Sequence, residues 1–302
     1  MYRRQHFFGL VGNTPLVRLT NIEDYFSLRL SIYAKLERAN FTGSIKDRPA
    51  LYMIEGLLRE GKIKEGGYLV EATSGNLGIS MAAISARLGF RAVVVMPKNA
   101  SEGRKRMIRS LGAELVLADG GMAEAVRLAQ DVCLERGGIC LDQFNNPMNS
   151  LSHYATTGPE IYDALSGRVD YFVVGIGSGG TIGGGGRYLK ERNPHVKLVA
   201  VEPTEAAFLS HGVSAEHRIE GIGAGFLPTI LDKNAINRVI TVGFEEADEC
   251  VKLLARLEGL CVGISSGANL SACLKLCAGG EETAGANMVT VFPDGIEKYL
   301  TY

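Results

Sequence analysis

Apolar runs of strand length alternate with segments of helical spacing along almost the whole chain, and this alternation constrains the fold more than any other feature. Residues 30–36 alternate as a strand does, and residues 50–60 carry Leu51, Ile54, Leu57 and Leu58 on one helical face. Residues 68–71 form a short apolar run entering a turn, followed at 78–88 by a helical stretch rich in Ala and Ile. Residues 91–97 read as a strand and 102–111 as a charged helix, and 114–117 with 122–136 repeat the unit. A second set of strands starts near Tyr171 and continues at 197–201, 238–242 and 288–293. Strand–helix–strand order marks a parallel sheet with helices on both faces. The class is therefore α/β, with two doubly wound parallel-sheet domains and a ligand between them at the carboxyl ends of the strands. A length of 302 residues suits two domains, and the chain is expected to pass between them near residues 145–152.

Composition removes several function classes. A formal net charge of −1 gives no basis for binding nucleic acid or an anionic membrane surface. No apolar run is long enough to cross a bilayer. The first eight residues are basic but lack the apolar centre of a signal peptide, which points to a cytoplasmic protein with a frayed start. The six cysteines, at 133, 140, 250, 261, 273 and 277, form no C-x-x-C pair, and most sit in apolar runs. They are expected to be reduced thiols acting as small hydrophobes. Five histidines without clustering point to no metal site.

Two short segments carry chemistry. Gly43-Ser44-Ile45-Lys46-Asp47-Arg48-Pro49 sets a lysine just before a helix start, where Pro49 fits the first turn. A lysine that attacks an aldehyde must be held in place, with its amine made nucleophilic by a lowered pKa. Glu71-Ala72-Thr73-Ser74-Gly75-Asn76-Leu77-Gly78 lies between a strand and a helix. Its four small polar residues exceed what capping requires, and free N–H groups at a helix start hold anions. Further along, Gly175-Ile176-Gly177-Ser178-Gly179-Gly180-Thr181 follows a strand and offers backbone donors to a phosphate. It also fits G-x-G-x-x-G, with Glu202 at the end of the next strand, so an NAD-dependent dehydrogenase with Glu202 on a ribose is the rival reading. The run Gly183–Gly186 extends into an expected helix at a cost of roughly 3–4 kcal/mol relative to alanine, and close packing against the phosphate loop is the expected reason.

These segments, in wording and spacing, resemble the β-family of pyridoxal-phosphate enzymes, which includes cysteine synthase and cystathionine β-synthase. The likeness runs from Gly12-Asn13-Thr14-Pro15-Leu16 to Tyr299. It takes in Gln143-Phe144-Asn145-Asn146-Pro147, His153 to Glu160, Glu220-Gly221-Ile222-Gly223-Ala224-Gly225-Phe226, Gly263 to Ala268, and Phe292 to Leu300. The resemblance implies a tryptophan synthase β-like fold (fold type II). Residues 38–148 would form a smaller domain holding the substrate carboxylate, and residues 1–37 with 149–302 a larger one holding the cofactor phosphate. It also implies that Lys46 carries pyridoxal 5'-phosphate and that Gly177, Ser178, Gly179, Gly180 and Thr181 cradle its phosphate. Asn76 would touch its phenolic oxygen. Thr73, Ser74, Gly75, Asn76, Leu77 and Gln143 would line the substrate carboxylate, and Gly221 the mouth of the site. His153 is read as structural.

Two positions depart from the family's wording. Leu77 stands where cysteine synthases carry a threonine, which removes one hydroxyl from the carboxylate loop. Gly295 stands where the family has a serine on the cofactor's ring nitrogen, which leaves Asp294 or a water for that contact. The implied activity is β-replacement on a serine- or cysteine-like amino acid, first of all cysteine synthase, in which O-acetylserine and sulfide give cysteine and acetate. Cysteine desulfhydrase producing hydrogen sulfide, cystathionine β-synthase and a diaminopropionate-type synthase are the alternatives. The expected partners are an amino acid and a small nucleophile, in a homodimer. No regulatory domain is expected beyond Tyr302.

Overall fold

The computed structural model describes residues 9–280 and 284–299; the basic start and Leu300 of the last motif lie outside the described residues. The first half contains β1 (Leu16–Arg18), α1 (Thr20–Tyr25), β2 (Ser31–Leu36), α2 (Asp47–Arg59), β3 (Tyr68–Ala72), α3 (Asn76–Leu88) and β4 (Arg91–Pro97). It continues through α4 (Glu102–Ser110), β5 (Glu114–Ala118), α5 (Met122–Arg136), β6 (Ile139–Cys140), α6 (Pro147–Ala155) and α7 (Thr157–Ala164). The second half holds β7 (Tyr171–Gly175), a π-helical turn Thr181–Gly186, α8 (Arg187–Arg192), β8 (Lys197–Pro203) and α9 (Phe208–His211). It ends with β9 (Arg238–Val242), α10 (Phe244–Glu258), α11 (Ile264–Ala278) and β10 (Asn287–Phe292). Among the described residues no helix is long and apolar enough to cross a membrane.

The strands form two sheets. One has the order β1-β2-β10-β7-β8-β9, the other β5-β4-β3-β6. All pairings are parallel except β1 with β2, so the first strands of the chain join the larger sheet beside its last strand. Parallel sheets need apolar residues on both faces. In β4, Ala92, Val94 and Met96 enter one apolar cluster, while Val93 and Val95 enter the other. In β8, Val199 and Val201 face one cluster and Leu198 and Ala200 the opposite one. This period of two, with both faces buried, is why these runs read as continuous apolar stretches in the sequence.

One expectation is corrected and one extended. Cys133 and Cys140 are joined as a disulfide, with Cα atoms 6.3 Å apart, so not all six thiols are free. Gly137, at φ 57°, ends α5 and turns the chain back, and the Gly138 N–H bonds the Cys133 carbonyl at 2.8 Å. The last turn of α5 therefore faces β6, a closeness that no motif spacing announces. The account of the glycine run is extended. A Cβ on Gly184 would lie 1.9 Å from the Ser150 carbonyl oxygen, and one on Gly186 2.9 Å from Leu198 Cδ1. The run therefore lets α6 and the larger sheet pack close to this turn, while the Gly183 N–H on the Gly179 carbonyl at 2.9 Å keeps it tied to the Gly177–Thr181 loop. A Gly184→Ala substitution must push backbone aside, whereas a Cβ on Gly185 meets Phe172 at an ordinary 3.6 Å. Gly184→Ala is expected to lose about 1–3 kcal/mol or more in urea unfolding. Gly185→Ala should be neutral or gain up to about 1 kcal/mol.

Candidate active site

A cavity of about 1160 Å³ opens between the two sheets at the ends of β3, β4, β7 and β10. Lys46, Thr73, Ser74, Asn76, Leu77, Gln143, Gly177, Ser178, Gly179, Thr181, Gly221 and Asp294 line it; Gly75, Gly180 and Gly295 lie behind that lining. Residues far apart in sequence thus converge on one space.

The backbone around Lys46 is fixed from two sides. Ser44 bridges Asp294, and the Ile45 N–H bonds the Pro293 carbonyl at 2.9 Å. On the helix side, buried Asp47 accepts from the Thr42 N–H at 2.6 Å and the Ser80 hydroxyl at 2.5 Å. Buried Arg48 holds Glu37 and Glu160 at 2.7 Å each. The Lys46 side chain is partly open to the cavity but enclosed by protein, and its ammonium has no hydrogen bond or ion pair among the described residues. Burial lowers its pKa to about 8, against the opposing pull of Glu71. A fixed amine that gives up its proton near neutrality has the properties an aldehyde-binding lysine needs.

The loop after β3 is shaped by close approach. Gly75 has φ 149°, and a Cβ there would lie 2.2 Å from Arg104 Cδ. Thr73 Oγ1 accepts the Gly75 N–H at 3.0 Å, which leaves Ser74 and Asn76 at the cavity wall. Asn76 Nδ2 donates to Asp294 Oδ2 at 2.7 Å, and its Oδ1 is buried with no protein partner. Leu77 is 1% exposed and belongs to the apolar core of the smaller sheet, so it reaches the cavity from within that core. Gln143 Nε2 donates to the Ala72 carbonyl at 3.1 Å.

On the opposite wall, Gly177 leaves no room for a side chain: its Cβ would sit 2.5 Å from the Gly221 carbonyl oxygen. A Cβ on Gly180 would lie 2.0 Å from Asn149 Oδ1. Asn149 Nδ2 donates to Ser178 Oγ at 2.9 Å and to the Gln143 carbonyl at 2.8 Å, tying this loop to the substrate side. His153 is buried, with Nδ1 2.9 Å from Thr157 Oγ1 and Nε2 3.4 Å from Thr181 Oγ1. Burial first, then Arg48 and Lys46, hold it well below the usual histidine range, so it supports the loop as a neutral ring.

Asp294 is buried under Arg104, Asn76 and Tyr299. Burial raises its pKa and these partners oppose the rise. Its oxygens are thus engaged within the protein, and Gly295 adds no group to the wall. Arg104 and Asn149 were not singled out in the sequence, and Glu220 and Tyr299 were named there only as members of longer motifs. Arg104 stacks 4.7 Å from the Tyr299 ring centroid and pairs with Glu220, so α4 meets the loop at the site mouth. Its position inside a charged helix hid it.

The donor set fits pyridoxal phosphate. Lys46 would supply the amine for the aldehyde, the backbone N–H groups of Gly177 to Thr181 would hold the phosphate, and Asn76, with its unpartnered Oδ1, would lie within reach of the cofactor in the same cavity. The dinucleotide reading fails at Glu202. That carboxylate is buried and accepts from the N–H groups of Leu209 at 2.8 Å and Ser210 at 3.0 Å, outside the cavity lining. It caps α9 and cannot hold a ribose.

Residues 7–294 match the family described as pyridoxal-phosphate dependent enzyme. The chain belongs to this family. It is 41% identical over 295 residues to the cysteine synthase of Staphylococcus aureus strain Mu50, covering 97% of this chain and 94% of the relative. It is 40% identical to the O-acetylserine dependent cystathionine beta-synthase of Bacillus subtilis strain 168, with the same coverages. Among solved structures, a hydrogen sulfide-producing enzyme from Fusobacterium nucleatum superposes with a TM-score of 0.93 at 36% identity, covering 97% of this chain and 99% of that one. The fold is therefore fold type II, and the protein is a pyridoxal-phosphate-dependent enzyme of the cysteine synthase class.

The lowered lysine pKa has a measurable consequence. Only the neutral amine attacks an aldehyde, so cofactor uptake by the cofactor-free protein should quicken as pH rises towards about 8 and level off above it. Stopped-flow absorbance across pH 6–10 tests this; a rise continuing to pH 10, as for a solvated lysine, would contradict it.

Proposed function

We propose that this enzyme makes cysteine from O-acetylserine and sulfide, releasing acetate, and works as a homodimer in the cytoplasm. The observation that carries the reading is the convergence of Lys46, the Thr73–Asn76 loop and the Gly177–Thr181 loop on one cavity. The names of the two relatives above support the donor and the sulfur chemistry.

Bound pyridoxal phosphate supplies an electron sink for charge developing at Cα of an attached amino acid. Thr73, Ser74, Asn76 and Gln143 hold the substrate carboxylate and so set the direction of the Cα–H bond. Lys46 Nζ takes the Cα proton as general base, the Cβ–O bond breaks with acetate leaving with the electron pair, and Lys46 returns the proton to Cα once sulfide has added at Cβ. Gly177 to Thr181 hold the phosphate with backbone N–H groups.

A second reading rests on Leu77. The apolar side chain removes a hydroxyl from the carboxylate loop and favours cysteine as donor, with hydrogen sulfide as product, the activity named for the Fusobacterium nucleatum neighbour. One lost neutral hydrogen bond is worth about 0.5–1.5 kcal/mol, roughly three- to tenfold in affinity, which is too little to abolish O-acetylserine use.

Lys46→Ala is expected to abolish turnover and the adduct fixed by borohydride; a variant with full activity would remove Lys46 from the mechanism. Leu77→Thr should raise kcat/KM for O-acetylserine relative to cysteine by three- to tenfold, while lowering the melting temperature through loss of core burial. An unchanged donor ranking would mean that Leu77 serves packing alone.

A further inference from the structure

Glu71 belongs to no role assigned so far. It is 2% exposed in β3 and is absent from the cavity lining, yet it is a carboxylate deep in the smaller sheet. A buried carboxyl group is costly unless its oxygens are well partnered. Glu71 Oε2 accepts the Asp142 N–H at 2.8 Å; burial pushes this carboxyl up to about 8, and the backbone N–H groups of Asp142 and Gln143 oppose the rise. Strand pairing stops two residues earlier, at Cys140 opposite Val70, and the Leu141 N–H bonds the Val70 carbonyl at 3.1 Å. The Glu71 side chain then replaces the ladder and takes the next N–H in line, that of Asp142.

The turn it holds is not one the chain adopts freely. Asp142 has φ 55°, the left-handed region, where a residue with a side chain is sparsely found. Its carbonyl then receives the N–H groups of Asn145 and Asn146, which closes the turn that leads Gln143 to the cavity. From this geometry we infer that Glu71 is a positioning residue for amino acid binding: it clamps the Asp142–Gln143 turn so that Gln143 meets the substrate carboxylate. The inference rests on the role given to Gln143 under the proposed function. Two charged groups face Glu71: Lys46, ahead of α2, and Asp142, in the turn itself. Neither bonds it through a side chain, so the clamp is made by the Asp142 backbone N–H.

The test compares Glu71→Gln and Glu71→Ala holoenzymes with wild type. Glutamine keeps one acceptor oxygen and alanine none. Three quantities are read: affinity for L-alanine from the change in bound-cofactor absorbance, kcat with saturating O-acetylserine, and amide hydrogen exchange at residues 142 and 143. Glu71→Gln should weaken L-alanine binding three- to tenfold and Glu71→Ala more than tenfold. Cofactor occupancy should stay at the wild-type level, kcat should stay within about threefold, and exchange at 142 and 143 should speed up in the same order. Unchanged L-alanine affinity in Glu71→Gln overturns the inference, whether or not exchange has changed. Should Glu71→Ala not fold, the glutamine variant decides alone. A wild-type holoenzyme that binds L-alanine but never turns over O-acetylserine fails the proposed reaction, and L-alanine binding still judges Glu71.

Discussion

The buried Arg48 network is the interaction on which the rest of the site depends. Its guanidinium is fully enclosed and forks onto Glu37, at 2.7 and 2.8 Å, and onto Glu160, again at 2.7 and 2.8 Å. Lys35 joins Glu160 at 2.7 Å and the Thr14 carbonyl at 2.5 Å. The two cations hold the Glu160 carboxylate down to about 2, overcoming the burial that would raise it. Removing one partner of such a set leaves an unpaired buried charge, typically a loss of about 3–5 kcal/mol. The network joins the start of α2 to the end of β2 and to α7. Lys46 stands two residues before Arg48, so its backbone is fixed by charges that never touch the cavity.

Close backbone approach is the second constraint. Gly177 lies against the Gly221 carbonyl, Gly75 against Arg104, and Gly184 against the Ser150 carbonyl. In each case a methyl group would occupy space already filled. At Gly177 to Thr181 the result is a stretch of cavity wall that presents backbone N–H donors, whose positions do not depend on side-chain rotamers. Such preorganised donors suit a fixed anionic group such as a phosphate. Asn149 links the two walls, because one amide reaches both Ser178 and Gln143. Substrate side and phosphate side are therefore held in a common frame.

Much of this was legible in the chain. Strands 91–97, 171–175 and 238–242 fall where the apolar runs place them, because a strand buried on both faces leaves an uninterrupted signal. Apolar spacing alone places two helix starts late, since α2 begins at Asp47 and α3 at Asn76; the Lys46 and Pro49 turn signal marks the start of α2 where periodicity does not. The disulfide between Cys133 and Cys140, and the close contact of the glycine run with α6, were not legible. Both arise where a turn brings two segments together, and neither leaves a pattern within either segment.

The sequence by itself determined the α/β class, the order of the units and the two loops, 73–76 and 177–181, that meet at the cavity. Those properties are local: apolar period, turn residues and helix starts are written in neighbouring positions. Tertiary structure alone decided that Glu202 caps a helix, that Asp294 is engaged by Asn76, Arg104 and Tyr299, and that Glu71 reaches the Asp142 turn. A carboxylate's role follows from which donors surround it and how far it lies from water. Residues up to 218 positions apart supply those donors, so the roles exist only once the two sheets have packed.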